Sequence, residues 1–290
     1  MFLQQILNGL MLGAVYGLAG IGLTLIWAVL RFVNMAHGNI IIIGAYSGFF
    51  VGRLTGSTIL AIIAAIVFPV LFNATLNKLA FSRVRQQSHL VPLMISIGVG
   101  IMIEEVLAKL FYGGRPITYP NEIQMNRMYS LGFINVSEGH VMGLGITIIV
   151  MLFFYFLLFR SKLGMGLRAT AENLRVARML GVNEGKMDML TFTLAGAVCG
   201  ISGVFYGLIY AGISPYVGGL FNFKALAVML LAGAGNVYGA LIAGFILGLI
   251  EVMAVAYGVG AWRDMLAFGI VIIVLILRPK GLFGTIYEVE

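Results

Sequence analysis

The chain has 290 residues, 61% of them hydrophobic and only 10% charged. A soluble domain carries about a quarter charged residues, so this composition cannot coat a water-exposed fold and instead suits a chain that turns much of its surface to lipid. The formal net charge of +7 does not mark a nucleic-acid binder, because the basic residues fall between apolar runs and form no continuous patch. The single cysteine, Cys199, excludes an intrachain disulfide framework and a cysteine metal site and suits a small buried hydrophobe.

A helix needs about 20 apolar residues to cross the roughly 30 Å hydrocarbon core of a bilayer. In chain order, such runs cover approximately 6–30, 38–54, 58–77, 91–112, 140–159, 189–212, 237–256 and 263–278. The start, MFLQQILNG, has no basic residue and leads into a run too long for a cleavable signal peptide. A further apolar segment at 224–235, KALAVMLLAGAG, is short for a crossing. It is expected to be a half-helix, a re-entrant segment or a short span, since irregular backbone at membrane depth is tolerated only under a cover of protein or water. The fold class is therefore all-α: a polytopic transmembrane bundle of about 8–9 segments, one of them short or re-entrant.

Lys and Arg collect on cytoplasmic loops. The segment 160–186 holds Arg160, Lys162, Arg168, Arg175, Arg178 and Lys186 against Glu172 and Glu184, so it is expected inside. Counting back puts the connections with Lys78, Arg83 and Arg85 and with Arg31 inside, and the balanced connector 113–139 and the N-terminus outside. Eight spans would strand Arg278 and Lys280 outside. Nine, with 224–235 crossing, bring them in, and that count is preferred.

Glycines recur at four-residue spacing: Gly9, Gly13 and Gly17; Gly44, Gly48 and Gly52; Gly196 with Gly200; Gly203 with Gly207; Gly244 with Gly248. Such ridges let helix backbones approach closely in a membrane. No P-loop, HExxH or GxSxG is present, and His37, His89 and His140 are scattered, so neither ATP binding nor enzymatic chemistry is expected. No metal or other cofactor is expected.

Within the basic segment, 167–180 is predicted as one helix with Arg168, Glu172 and Arg175 on one face and Ala169, Val176 and Leu180 on another. Gly181 sits where a C-cap belongs. Such a helix lies on the membrane surface or docks in a partner's groove. Ionisable residues inside spans are functional candidates. Glu105 precedes Lys109 by four residues, so with Glu104 alongside they form either a structural pair near the outer end of the span or part of the pore lining; Glu251 has no such neighbour and either lines the pathway or pairs across helices. Asn34 and His37 are expected to cap and brace a cytoplasmic turn between the first two spans, with contact to a substrate on its pathway as the alternative.

The stretch with Arg168-Ala169, Ala171-Glu172-Asn173, Ala177 and Gly181-Val182-Asn183 resembles the coupling loop of the high-affinity branched-chain amino-acid permeases of ABC importers. The resemblance extends to Tyr16-Gly17-Leu18, Asn34-Met35-Ala36-His37-Gly38, Gly44-Ala45-Tyr46, Leu230-Leu231-Ala232-Gly233-Ala234-Gly235-Asn236, Gly248-Leu249-Ile250-Glu251 and the tail Arg278-Pro279-Lys280-Gly281-Leu282-Phe283-Gly284. It implies one transmembrane permease domain, 1–290, with a cytoplasmic coupling segment at about 160–187, in a bacterial-type inner membrane. It also implies a second related permease chain, two cytoplasmic ATPase subunits and a periplasmic binding protein. Arg168, Glu172, Asn173, Arg175, Arg178 and Gly181 would then couple to the ATPase. A permease for urea or short amides, a secondary transporter and an intramembrane enzyme are the competing readings. The secondary transporter leaves the docking helix without a role, and the enzyme lacks a convergent polar cluster beyond Glu104, Glu105, Lys109 and Glu251.

Overall fold

A computed structural model describes residues 2–85, 87–120, 123, 127–130, 135–209 and 212–284. Eleven helices are described: α1 (Phe2–Leu30), α2 (His37–Thr55), α3 (Thr58–Leu76), α4 (Leu90–Leu110), α5 (Glu138–Arg160), α6 (Lys162–Glu172), α7 (Leu174–Met179), α8 (Glu184–Ile209), α9 (Val217–Ala232), α10 (Val237–Ala256) and α11 (Arg263–Leu277). A π-helical turn, Asn77–Phe81, and a short piece, Ser82–Val84, extend α3. Among the described residues the expected all-helical chain departs from helix in the connector before α5, where β1 (Met128–Ser130) pairs antiparallel with β2 (Asn135–Ser137).

Among the described residues, seven helices are long and apolar enough to cross a membrane: Phe2–Leu30, Thr58–Val84, Leu90–Leu110, Val141–Arg160, Glu184–Leu208, Val237–Ala256 and Gly260–Leu277. The chain is thus a multi-pass membrane protein. The remaining long helix, α2, has the length but carries His37, Asn39 and Arg53. The short apolar segment is helical over Val217–Ala232, seven residues earlier than its apolar run begins. Polar Asn222 and Lys224 hide its first half from a hydropathy reading, and Gly233, at φ +97°, ends it.

The helix α1 is apolar on every side, and all residues from Met11 to Ile26 are buried. A helix of that kind belongs inside a bundle. Its glycine ridge is the reason α10 approaches so closely. A Cβ on Gly13 would lie 2.6 Å from Phe245 Cα, one on Gly9 2.9 Å from Leu249 Cα, and one on Gly244 would collide with the backbone of Gly17. A second seam runs through α8. Gly200 meets Ala65 of α3, Gly203 meets Ile41 of α2, and Gly196 would place a Cβ 2.8 Å from Pro69 O. The outer faces of α3, α4, α5 and α11 expose Phe68, Leu71, Met94, Ile101, Ile149, Phe156, Ile272 and Ile276. Water would not tolerate so much apolar surface, whereas lipid does not penalise it.

The bundle has two chemically different ends. At one, Arg31 donates to Ala171 O and Arg85 pairs with Glu184 and Asp188. The tail lies here too: Leu282 N donates to Leu231 O (2.8 Å) and Phe283 N to Ala232 O (3.0 Å). At the other end Gln4 brackets Asn135 through two hydrogen bonds of 2.8 and 2.9 Å. There too Ile117 and Ile213 exchange backbone hydrogen bonds, and Tyr119 drops between Gly48 and Gly207 to donate to Ala45 O at 2.6 Å.

Candidate functional site

The basic end is built around a corner. The predicted continuous helix over 167–180 is two helices that meet at Asn173, whose backbone is extended (φ −151°, ψ 105°). The break is written locally. Asn173 Oδ1 accepts from Val176 N at 3.1 Å, the N-cap geometry that Asn offers more readily than a helix interior. The faces drawn on a single helix therefore do not exist. Arg168 instead lies over the Phe159 ring at 5.1 Å. Glu172 and Arg175 flank the corner, both exposed, and Arg178 pairs with Glu184. Ala177 is buried, while Val176, Met179 and Leu180 point outward, at 48%, 82% and 75% exposed. This is an apolar tip on the basic end.

Gly181 closes α7 as expected. Its φ is +83°. Gly181 N donates to Arg178 O and Val182 N to Ala177 O, each at 3.0 Å, the double bond pattern of a glycine-terminated helix. A Cβ there would meet nothing within 4 Å, so the cost of a side chain is conformational alone, about 1 kcal/mol for a left-handed L-residue. Gly181→Ala is expected to raise amide exchange of 174–182 about fivefold without altering the rest of the bundle, and Gly181→Asn to recover part of the loss. Equal exchange in wild type and Gly181→Ala would refute the cap.

His37 is deeper than a surface turn. The chain turns at Arg31 (φ +60°) and runs back along the bundle through 32–36 before α2 begins. His37 is fully buried. Its Nε2 is 2.9 Å from Ala19 O, eleven residues before the end of α1, or about 16 Å at the helical rise. Cys199 Sγ is 3.4 Å from the same nitrogen, so the cysteine is the small buried residue it was expected to be. Asn34 Oδ1 accepts from Ala36 N at 3.1 Å, bracing the turn from inside. Asn222 of α9 completes it, accepting from Gly38 N at 2.6 Å and donating to Met35 O. A Cβ on Gly38 would strike the Gly218 carbonyl, which is why glycine follows the histidine.

Glu105 and Lys109 are both exposed, and among the described residues they form no ion pair. Glu104 is half-buried instead and lies beside Gly219, where a Cβ would stand 3.9 Å from its Oε1, in the first turn of α9, where a carboxylate suits the helix dipole. Glu251 pairs across helices. Its partner is Lys224 of α9, which also reaches Asp264 Oδ1 at 2.7 Å, and Tyr16 of α1 donates to Glu251 Oε2 at 3.0 Å. Lys224 Nζ stands 5.0 Å from the Phe268 ring and 5.7 Å from that of Tyr16. Lys224 and Glu251 are each about 4% exposed at the side chain and Asp264 is 45% exposed. Lys224 and Asp264 were absent from the sequence-derived candidates. The available signal was a lysine at the head of an apolar run, a position that demands a partner.

The sequence matches the family described as branched-chain amino acid transport system / permease component over residues 5–275. It is 31% identical to the high-affinity branched-chain amino acid transport system permease protein LivH of Escherichia coli K12, over 98% of this chain and 96% of that protein. It is 29% identical to BraD of Pseudomonas aeruginosa, which carries the same description, with the same coverage of both chains. The probable branched-chain amino acid transport permease protein LivH of Methanocaldococcus jannaschii is 27% identical over 92% of this chain and 88% of its own.

Proposed function

The chain belongs to the branched-chain amino acid transport permease family, and from that premise we propose that it is the membrane-spanning subunit of an ATP-driven importer. Its cargo is an amino acid, branched-chain or otherwise hydrophobic, carried across a bacterial-type inner membrane. The observation that carries the reading is the family match over nearly the whole chain. The two-ended bundle supports it, with a capped, apolar-tipped corner at the basic end. In this reading the 290 residues make one permease domain, with α6 and α7 as its coupling segment. Nine segments cross: α1, α2, α3, α4, α5, α8, α9, α10 and α11. Arg31, Lys78, Arg83, Arg85, Arg160, Lys162, Arg168, Arg175, Arg178, Lys186, Arg278 and Lys280 then lie inside, twelve of the 18 basic residues, as the charge rule asks.

The partners follow from the mechanism. The chain carries no phosphate-binding loop, so two ATPase subunits supply the energy, gripping Val176, Met179 and Leu180 with Arg168, Glu172, Asn173, Arg175 and Arg178 around them. A second permease chain completes the pathway, and a periplasmic binding protein delivers the amino acid. The test is ATP-dependent uptake of labelled leucine, isoleucine and valine by vesicles holding the assembled complex. Uptake of urea or short amides in place of amino acids would overturn the substrate reading. For topology, single cysteines at Met128, Glu172 and Lys280 are expected to label from outside, inside and inside; buried Cys199 stays silent. External labelling at 280 would refute nine crossings, and external labelling at 172 would refute the whole orientation.

A further inference from the structure

Among the described residues, one buried group of charges joins four helices: Lys224 of α9, Glu251 of α10, Asp264 of α11 and, through its hydroxyl, Tyr16 of α1. Burying an ion pair costs about as much desolvation as its attraction returns, and apolar residues of similar volume hold helices together as well or better. A bundle so rich in glycine seams needs no ionic clasp. Lys224 is shared by two carboxylates, Glu251 and Asp264, and Arg263 Nε stands 3.9 Å from Asp264 Oδ1 on the exposed side. One of those carboxylates, Asp264, opens to the surface near the end of the bundle that holds Gln4 and Tyr119.

Three features suit this cluster to receiving a ligand. First, it holds both signs of charge within one hydrogen-bond length, as a zwitterion requires if neither of its charges is to be stranded in low dielectric. Second, the cation stands against aromatic faces, Phe268 at 5.0 Å and Tyr16 at 5.7 Å, and the wall continues through Phe221, 6.2 Å from Tyr16 and 4.9 Å from Tyr206. Rings of this kind hold ammonium groups and apolar side chains equally. Third, the lysine sits on a short apolar helix, 16 residues from Val217 to Ala232, below the length of the seven candidate spans, and short or interrupted helices are where transporters build their sites.

We propose that Lys224, Glu251 and Asp264 form a transient zwitterion site on the translocation path. The α-ammonium of the passing amino acid takes over the carboxylates that Lys224 now holds, its carboxylate takes over the Lys224 ammonium, and its side chain lies against Tyr16, Phe221 and Phe268. The exchange leaves the net charge of the cluster unchanged, because the guest is neutral overall. Tyr16 keeps Glu251 oriented while its cationic partner changes. The lysine thus acts as an internal surrogate for the ammonium, keeping the site paired when empty. This rests on the amino-acid permease reading above.

The deciding variant is Lys224→Met with Glu251→Met, in the complete complex with ATPase subunits and binding protein. A structural clasp predicts wild-type uptake from this double variant, because the pair is replaced by apolar residues of similar length. A zwitterion site predicts that the complex assembles and hydrolyses ATP on stimulation by loaded binding protein, while leucine uptake per ATP falls at least about tenfold, the scale of one lost hydrogen bond to a charged group. Asp264→Asn, a change of the same size at a half-exposed position, decides the matter if the double variant fails to assemble: a fall in uptake per ATP is expected, with hydrolysis retained. Wild-type uptake per ATP in whichever variant assembles overturns the site. If the unaltered complex carries no amino acid at all, the permease reading fails before the site is tested.

Discussion

Replacing Met179 and Leu180 together by Asp is expected to abolish uptake while leaving the chain inserted and folded. Both side chains point away from the bundle, at 82% and 75% exposed, so the change removes no internal packing, and the cap at Gly181 uses backbone atoms only. What it removes is the apolar tip of the corner. A partner groove that accepts a methionine and a leucine must desolvate two carboxylates instead, and buried interface side chains contribute about 2 kcal/mol or more each. The ATPase subunits should therefore bind at least about a hundredfold more weakly. Pull-down of the ATPase subunits and ATP hydrolysis with loaded binding protein measure this directly. Normal co-purification with normal stimulation would show that the corner is only a solvated loop.

Gly244→Val is expected to keep the chain from accumulating in the membrane. A Cβ at 244 would collide with the Gly17 backbone and lie 2.8 Å from Gly13 O, so no rotamer change relieves it and α1 must move away from α10. Overpacking a core costs about 1–3 kcal/mol when side chains can yield; backbone meeting backbone lies at or above the upper end of that range. The matched control is Gly98→Ala, where a Cβ meets nothing within 4 Å. It should accumulate like wild type, and slightly better helix propensity is its only effect. Membrane yield and a monodisperse elution profile read both. Equal yield for the two variants would mean that the seam between α1 and α10 is not a packing constraint.

The sequence by itself determined the class of this protein. Hydropathy decides that a helix crosses lipid, and that property is local: the runs at 6–30, 58–77 and 237–256 became α1, α3 and α10 with little change. The glycine ridges, read as packing surfaces, are close-approach surfaces: Gly13 and Gly17 meet Gly244, Gly44 meets Gly200, and Gly196, Gly203 and Gly207 meet Pro69, Ile41 and Tyr119. Gly181 was legible as a cap because its left-handed backbone is a single-residue property. Tertiary structure decided everything that depends on two distant segments. No local rule places His37 beside Ala19, since the turn that carries it inward is held by Asn222, 185 residues further on. The break at Asn173 overrode a helical periodicity that ran through it, because an asparagine side chain capping the next helix competes with helix continuation on nearly equal terms. Glu251 was visible as an isolated charge, but its partner could not be named: Lys224 and Asp264 lie on neighbouring helices, and the demand that a buried charge be paired says that a partner exists without saying on which helix it stands.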